Sequence, residues 1–178
     1  MKHVVLLGLA ALLWHATPAL AQRRPPPLAP MHSDVTAFVG VMVPQARRAV
    51  GGAFGGGGSM VRFEIEYSGT VGSATLTRPS AGAISVNVLV QSTPSIHGLQ
   101  FYGTGGFGLF GETFEGGAGS GEVLAKNFGV GAKIVLAGPL RLRLDYRLFV
   151  LGDAPDASPG LVLQQHPQRL SAGLNFTF

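Results

Sequence analysis

Between residues 140 and 149 the chain is apolar at every second position. Leu140, Leu142, Leu144, Tyr146 and Leu148 alternate with Arg141, Arg143, Asp145, Arg147 and Phe149. Successive side chains of a β-strand point to opposite faces, so this segment is a strand with one oily face and one charged face. The same period of two recurs along the sequence. Val61, Phe63, Ile65 and Tyr67 alternate with Arg62, Glu64 and Glu66, and Ile84, Val86, Val88 and Val90 alternate with Ser85, Asn87, Leu89 and Gln91. Residues 99–110 and 127–136 repeat the pattern, and Leu170, Ala172, Leu174, Phe176 and Phe178 alternate with Ser171, Gly173, Asn175 and Thr177. No segment after the N-terminal region carries the 3.6-residue apolar stripe of a helix. With residues 34–43, the alternation predicts seven strands and an all-β fold.

Residues 1–21 have the order of a secretory leader: Lys2 and His3, an apolar stretch from Val4 to Leu13, then Ala19-Leu20-Ala21 as a small-x-small cleavage site. The apolar run is too short for a transmembrane helix, and Pro18 closes it. Cleavage after Ala21 is expected, followed by a Pro-rich tail over 22–32 and a folded domain over 33–178. The chain has no cysteine, so no disulfide staples an exported fold and no N-terminal cysteine can carry a lipid. Its formal net charge is +4, but the bases form no aromatic-interleaved stripe, and nucleic acid is not an expected partner. No later run of about 18 apolar residues exists to form a spanning helix, so a spanning structure here has to be a closed barrel.

Energetics choose the outward face. An Arg or Lys pointing into lipid near the midplane costs roughly 2–4 kcal/mol, and the strand at 140–148 would place three arginines there if its charged face turned out. The leucines therefore face lipid and the arginines face inward. A soluble lipocalin-like barrel is the opposite arrangement and would have a thin core of Gly and Val. Seven strands is the wrong parity, because single-chain bacterial barrels have an even number. Counting back from the last strand puts the missing one between Val43 and Met60, as a Gly-rich strand near Arg48–Gly55 with Gly56-Gly57-Gly58-Ser59 as its turn. The connections at 68–82, 111–123 and 151–167 are then the long outer loops, while 92–98 and 137–139 are periplasmic. The expected fold is an eight-stranded antiparallel transmembrane up-and-down β-barrel in the bacterial outer membrane.

Several stretches carry a family likeness: Phe101-Tyr102-Gly103-x-Gly105-Gly106-x-Gly108, Asn127-Phe128-Gly129-x-Gly131, residues 140–147, and the terminal Leu170-Ser171-Ala172-Gly173-Leu174-x-Phe176-x-Phe178. Over residues 33–178 the chain resembles the eight-stranded outer-membrane β-barrel domain family of the OmpA and OmpX type. The resemblance implies a structural or surface-interaction role through the outer loops. It also implies contact with outer-membrane lipid and lipopolysaccharide, and insertion by the barrel-assembly machinery. Leu174, Phe176 and Phe178 would serve as the assembly signal. A monomer is expected.

The charged residues of the inward face form the main candidate site. Arg62, Glu64 and Glu66 lie on the third strand, Lys133 on the sixth, and Arg141, Arg143, Asp145 and Arg147 on the seventh. The third and seventh strands are half a circumference apart, and a barrel of eight strands is just wide enough for side chains to fill. Buried charge persists only when paired, so Glu64 and Glu66 are expected to pair with Arg141, Arg143 or Arg147 and plug the lumen. A narrow gated pore is the alternative. Gly103-x-Gly105-x-x-Gly108 matches a dinucleotide fingerprint, but the following residues cannot open the helix that the motif needs, and the glycines read as packing positions. The histidines beyond the leader, His32, His97 and His166, lie in the tail, a turn and a loop. Asp153, Asp156 and Ser158 share the loop of His166, but a Pro- and Gly-dense loop preorganises a catalytic group poorly. No metal-ligand spacing occurs. No catalytic residue, metal or cofactor is expected.

Overall fold

The computed structural model describes residues 32–43, 46–72, 80–94, 98–113, 120–152 and 166–178. The expected leader and most of the expected tail lie outside the described residues, as do His97, Asp153, Asp156 and Ser158. Eight strands make up the fold: β1 (His32–Val43), β2 (Arg47–Gly57), β3 (Val61–Thr70), β4 (Ser80–Gln91), β5 (Leu99–Thr113), β6 (Ser120–Ala137), β7 (Leu140–Leu151) and β8 (Gln168–Thr177). Each is antiparallel to its sequence neighbours, and β8 pairs with β1 to close the barrel. The backbones of Phe178 and Ser33 exchange hydrogen bonds of 2.8 and 2.9 Å at the end of that seam. The apolar C-terminal edge is therefore not an open edge at all.

A walk along the ladder fixes the barrel's tilt. It runs from His32 to Gly57, Arg62, Leu89, Thr104, Gly129, Arg147 and Arg169, and returns to β1 at Met42. The ten-residue stagger between His32 and Met42 tilts the strands and sets the bore, which side chains can fill.

The apolar face of the alternation points outward. Val39, Phe63, Ile65, Tyr67, Phe101, Phe107, Phe128, Val130 and Leu170 are all exposed, whereas Arg62, Glu64, Glu66, Lys133, Arg143, Asp145, Arg147 and Arg169 are buried. A soluble barrel needs the reverse. An oily belt around a charged interior is stable only where the surrounding solvent is lipid.

The Gly-rich eighth strand is β2, and it is longer than the sequence suggested. It runs through Gly55, Gly56 and Gly57 before residues 58–60 connect it to β3. Its glycines make room. A Cβ on Gly51 would run into the Phe38 ring, and a Cβ on Gly131 would strike the Tyr102 hydroxyl. β3, β4, β5 and β6 likewise extend into the stretches expected to be outer loops. Gly82 pairs with Gly69 and Gly111, and Gly111 pairs with Glu122. Glycine weakens a strand that stands alone, but here the neighbouring ladders supply its hydrogen bonds. The strand pattern also reaches His32, inside the expected tail. Gly138 takes φ 51 in the two-residue connection between β6 and β7, the positive φ that such hairpins require.

The strand ends sort onto two ends of the barrel. The start of β1, the end of β8 and the strand ends flanking 58–60, 92–98 and 138–139 lie at one end, the short-turn end, and the remaining strand ends lie at the other, the loop end. Inside the loop end, Met42, Phe110, Val123 and Phe149 pack with small alanines into one buried cluster.

Candidate functional site in the barrel lumen

The inward face brings together four carboxylates, Asp34, Glu64, Glu66 and Asp145, and five cations, Arg62, Lys133, Arg143, Arg147 and Arg169, all of them buried. Alternation alone places them there, because each sits one position away from an outward apolar residue on its strand.

The network is layered. Nearest the short-turn end, Asp34 lies 2.6 Å from Arg62 and 3.8 Å from Lys133. Arg62 also donates to the carbonyl of His32 at 3.0 Å, and Lys133 donates to the Gln91 side-chain oxygen at 3.4 Å. Above this layer Arg143 crosses the bore from β7 and pairs with Glu64 of β3 through both of its terminal nitrogens, Nη1 to Oε2 and Nη2 to Oε1. Tyr102 lies beside this pair. Its hydroxyl accepts from Arg143 Nε at 2.8 Å and donates to Asp145 Oδ2 at 2.6 Å. The Arg143 guanidinium also lies 5.0 Å from the Tyr102 ring centroid. Charged pairs that share hydrogen bonds in this way are the arrangement in which buried charge is tolerated.

Higher again, Arg147 is shared. It lies 3.1 Å from Glu66, 3.4 Å from Asp145 and 3.6 Å from Glu64. Arg169 of β8 lies 2.8 Å from Glu66 and 3.5 Å from Asp145, with its guanidinium stacked 4.4 Å from the Phe38 ring centroid. The amides of Asn87 and Asn127 meet at 2.9 Å, and Asn175 donates to Thr36 Oγ1 at 2.8 Å. The void lined by Phe38, Glu66, Arg143, Asp145, Arg169 and Ser171 has no room for a water molecule.

Of the eight charged residues read from the sequence, Arg62, Glu64, Glu66, Lys133, Arg143, Asp145 and Arg147 join this network. Arg141 does not pair with Glu64 or Glu66. It is half-buried near the short-turn end, where its Nη1 is 3.4 Å from Gln100 Oε1. The reason is axial position: Arg141 lies one inward position closer to the 138–139 turn than Arg143, below the level of both glutamates. Two members were missed. Asp34 precedes the first apolar residue of β1, and Arg169 precedes the first of β8. Both have the inward parity of their strands, Arg169 matching Ser171 and Asn175, and that parity was the signal available. Tyr102 falls in the alternating stretch 99–110, whose pattern names no partner for it.

Among the described residues, no group of three or more His, Cys, Asp or Glu side chains could hold a metal ion. His32 and His166 are exposed.

A closed antiparallel eight-strand barrel with an outward apolar belt and a paired charged lumen narrows the comparison sharply. The chain has the fold of the eight-stranded outer-membrane β-barrels. It is similar to the N-terminal β-barrel domain of Pseudomonas aeruginosa OprF, with a TM-score of 0.63 at 16% identity over 83% of this chain and 97% of that one. Neisserial surface protein A superposes equally well, with a TM-score of 0.63 at 13% identity and the same coverage of both chains. Ail, the attachment invasion locus protein of Yersinia pestis, was solved with the heparin analogue sucrose octasulfate. It gives 0.54 at 10% identity over 85% of this chain and all of its own. No protein-family model and no curated protein matches the sequence. At these identities the shared property is the outer-membrane-barrel fold, and this chain's lumen has to be read from its own residues.

Proposed function

We propose that the chain is a small integral protein of the bacterial outer membrane, exported with removal of residues 1–21. In this reading its own side chains plug the lumen, and it works as a structural or surface-interaction protein through the loop end. The observation that carries the plug is the pairing of Arg143 with Glu64 straight across the bore, between strands half a circumference apart. Side chains long enough to meet in the middle leave no continuous path, and eight strands give a bore of that size. The fold shared with Ail, whose structure was solved with a heparin analogue, supports a surface role in kind but names no partner for this chain. The outer-membrane lipid and the barrel-assembly machinery are the partners this reading requires, with no catalytic step.

Planar-bilayer recording tests the plug. The purified barrel is expected to show no stable open state, and steady unitary currents from the unmodified chain would refute it. Membrane fractionation with gel mobility before and after boiling tests the location, since a soluble periplasmic band without a heat-dependent shift contradicts it.

A narrow gated pore is the second reading, and one feature favours it. Arg147 is within ion-pair distance of three carboxylates, so partners could exchange without leaving a charge bare. Brief openings that change with Arg147→Lys would support that reading over the permanent plug.

A further inference from the structure

The lumen changes chemistry along its length. The charged network fills the short-turn end and the middle. Toward the loop end the inward positions include an apolar cluster of Met42, Ala49, Phe110, Val123 and Phe149, bordered by buried Arg47 opposite Met42 and buried Glu112 opposite Ala81. Phe110 and Phe149 are 1% and 2% exposed, and their rings, from strands that are not neighbours, meet at 5.6 Å between centroids. A cavity at this level, lined by Met42, Ala49, Ser68, Ala83 and Phe110, holds about 10 Å³, which is at the lower limit for one water. Arg169 joins the two zones. It pairs with Glu66 below, and its guanidinium lies 6.0 Å from the Phe149 ring centroid.

These two zones resist ions for different reasons. Breaking ion pairs leaves charged walls that water can enter. An apolar constriction excludes ions because they would have to shed hydration with nothing to replace it. Loss of the pairs therefore does not wet the apolar zone.

We propose that the cluster around Phe110 and Phe149 is an ion-excluding seal in series with the charged network, so that dismantling the network alone leaves the barrel closed. This rests on the plugged-barrel reading. Four proteins separate the two: the unmodified chain, Glu64→Ala/Arg143→Ala, Phe110→Ser/Phe149→Ser, and the fourfold variant, each recorded in planar bilayers after its heat-dependent gel shift is checked. Steady openings are expected from the fourfold variant alone. Openings from either double variant overturn the series arrangement while the plug survives, because the unmodified chain stays silent. A silent fourfold variant that retains its gel shift also overturns the seal. Currents from the unmodified chain overturn the plug itself.

Should the fourfold variant fail to fold, a milder probe is available because the chain has no cysteine. Ser171 faces inward beside Glu66 and Arg169, is buried, and becomes a single thiol as Ser171→Cys. Silver ion applied from the loop side is expected to react about tenfold faster or more once Phe110→Ser is added, and no faster with Glu66→Gln. Equal rates in all three backgrounds overturn the seal.

Discussion

Replacing Glu64 with Gln offers a quantitative test of the lumen network. Glu64 is 3% exposed, receives both terminal nitrogens of Arg143, and has Arg147 at 3.6 Å. The amide keeps the volume but removes the charge and turns a donor toward the guanidinium. Five cations then face three carboxylates. Removing one partner of a buried ion pair costs roughly 3–5 kcal/mol. Asp145 remains 3.3 Å from Arg143 Nη2, so the low end, about 3 kcal/mol, is expected. Arg143→Met should cost about as much, because Glu64 is then left with the longer contact to Arg147. The double variant strands neither charge, so its loss should fall short of the sum by about 2 kcal/mol, within the range for directly interacting residues. Urea unfolding of the barrel in lipid vesicles measures this, followed by far-UV circular dichroism and by the fraction keeping unboiled gel mobility. The one tryptophan, Trp14, lies in the expected leader, so indole fluorescence would not report on the processed barrel. Losses that add to within about 0.5 kcal/mol would refute the coupling across the bore.

Other perturbations probe the rest of the fold. Leu144→Arg, on the outward face between Arg143 and Asp145, should cost about 2–4 kcal/mol in the same unfolding assay if that face meets lipid. Gly51→Ala should destabilise by about 1–3 kcal/mol through collision with Phe38 and the Tyr67 carbonyl. Adding Phe38→Ala should recover only part of this, since the carbonyl stays. Ala46 holds φ 51 in the connection between β1 and β2, so Ala46→Gly should raise stability by about 1 kcal/mol, seen as a higher urea midpoint. Phe176→Ser with Phe178→Ser should lower the share of heat-modifiable barrel in the membrane fraction while export continues, as pulse-labelled cell fractions would show.

Much of this protein was legible without coordinates because a period of two is a local property. Once Leu140 to Leu148 are set outward, the parity of Arg143, Asp145 and Arg147 follows from the backbone, and the same holds for Glu64 and Glu66. The even strand count then required a strand in the glycine stretch, where β2 lies. Its extent was less legible, because glycine carries no face preference and only the partner ladders show where pairing continues. Arg169 and Asp34 were overlooked for a related reason. Each stands at a strand end outside the apolar alternation, so its parity draws no attention until the strand's first pair is known.

Pairing is a different kind of information. Arg141 and Arg143 are indistinguishable by pattern, two residues apart on one face, yet Arg143 reaches Glu64 and Arg141 reaches Gln100. The difference comes from the ten-residue stagger around the barrel, which sets the height of every inward side chain and is a property of eight ladders together. The same stagger gathers Met42, Phe110 and Phe149 from three strands into one layer above the charges. The sequence by itself determined that an oily face and a charged face run the length of the chain and which one meets lipid, because strand alternation and the cost of charge in hydrocarbon act residue by residue. Only the closed barrel decided which charges meet and that Met42, Phe110 and Phe149 gather into one apolar cluster, because those contacts depend on register between strands distant in sequence.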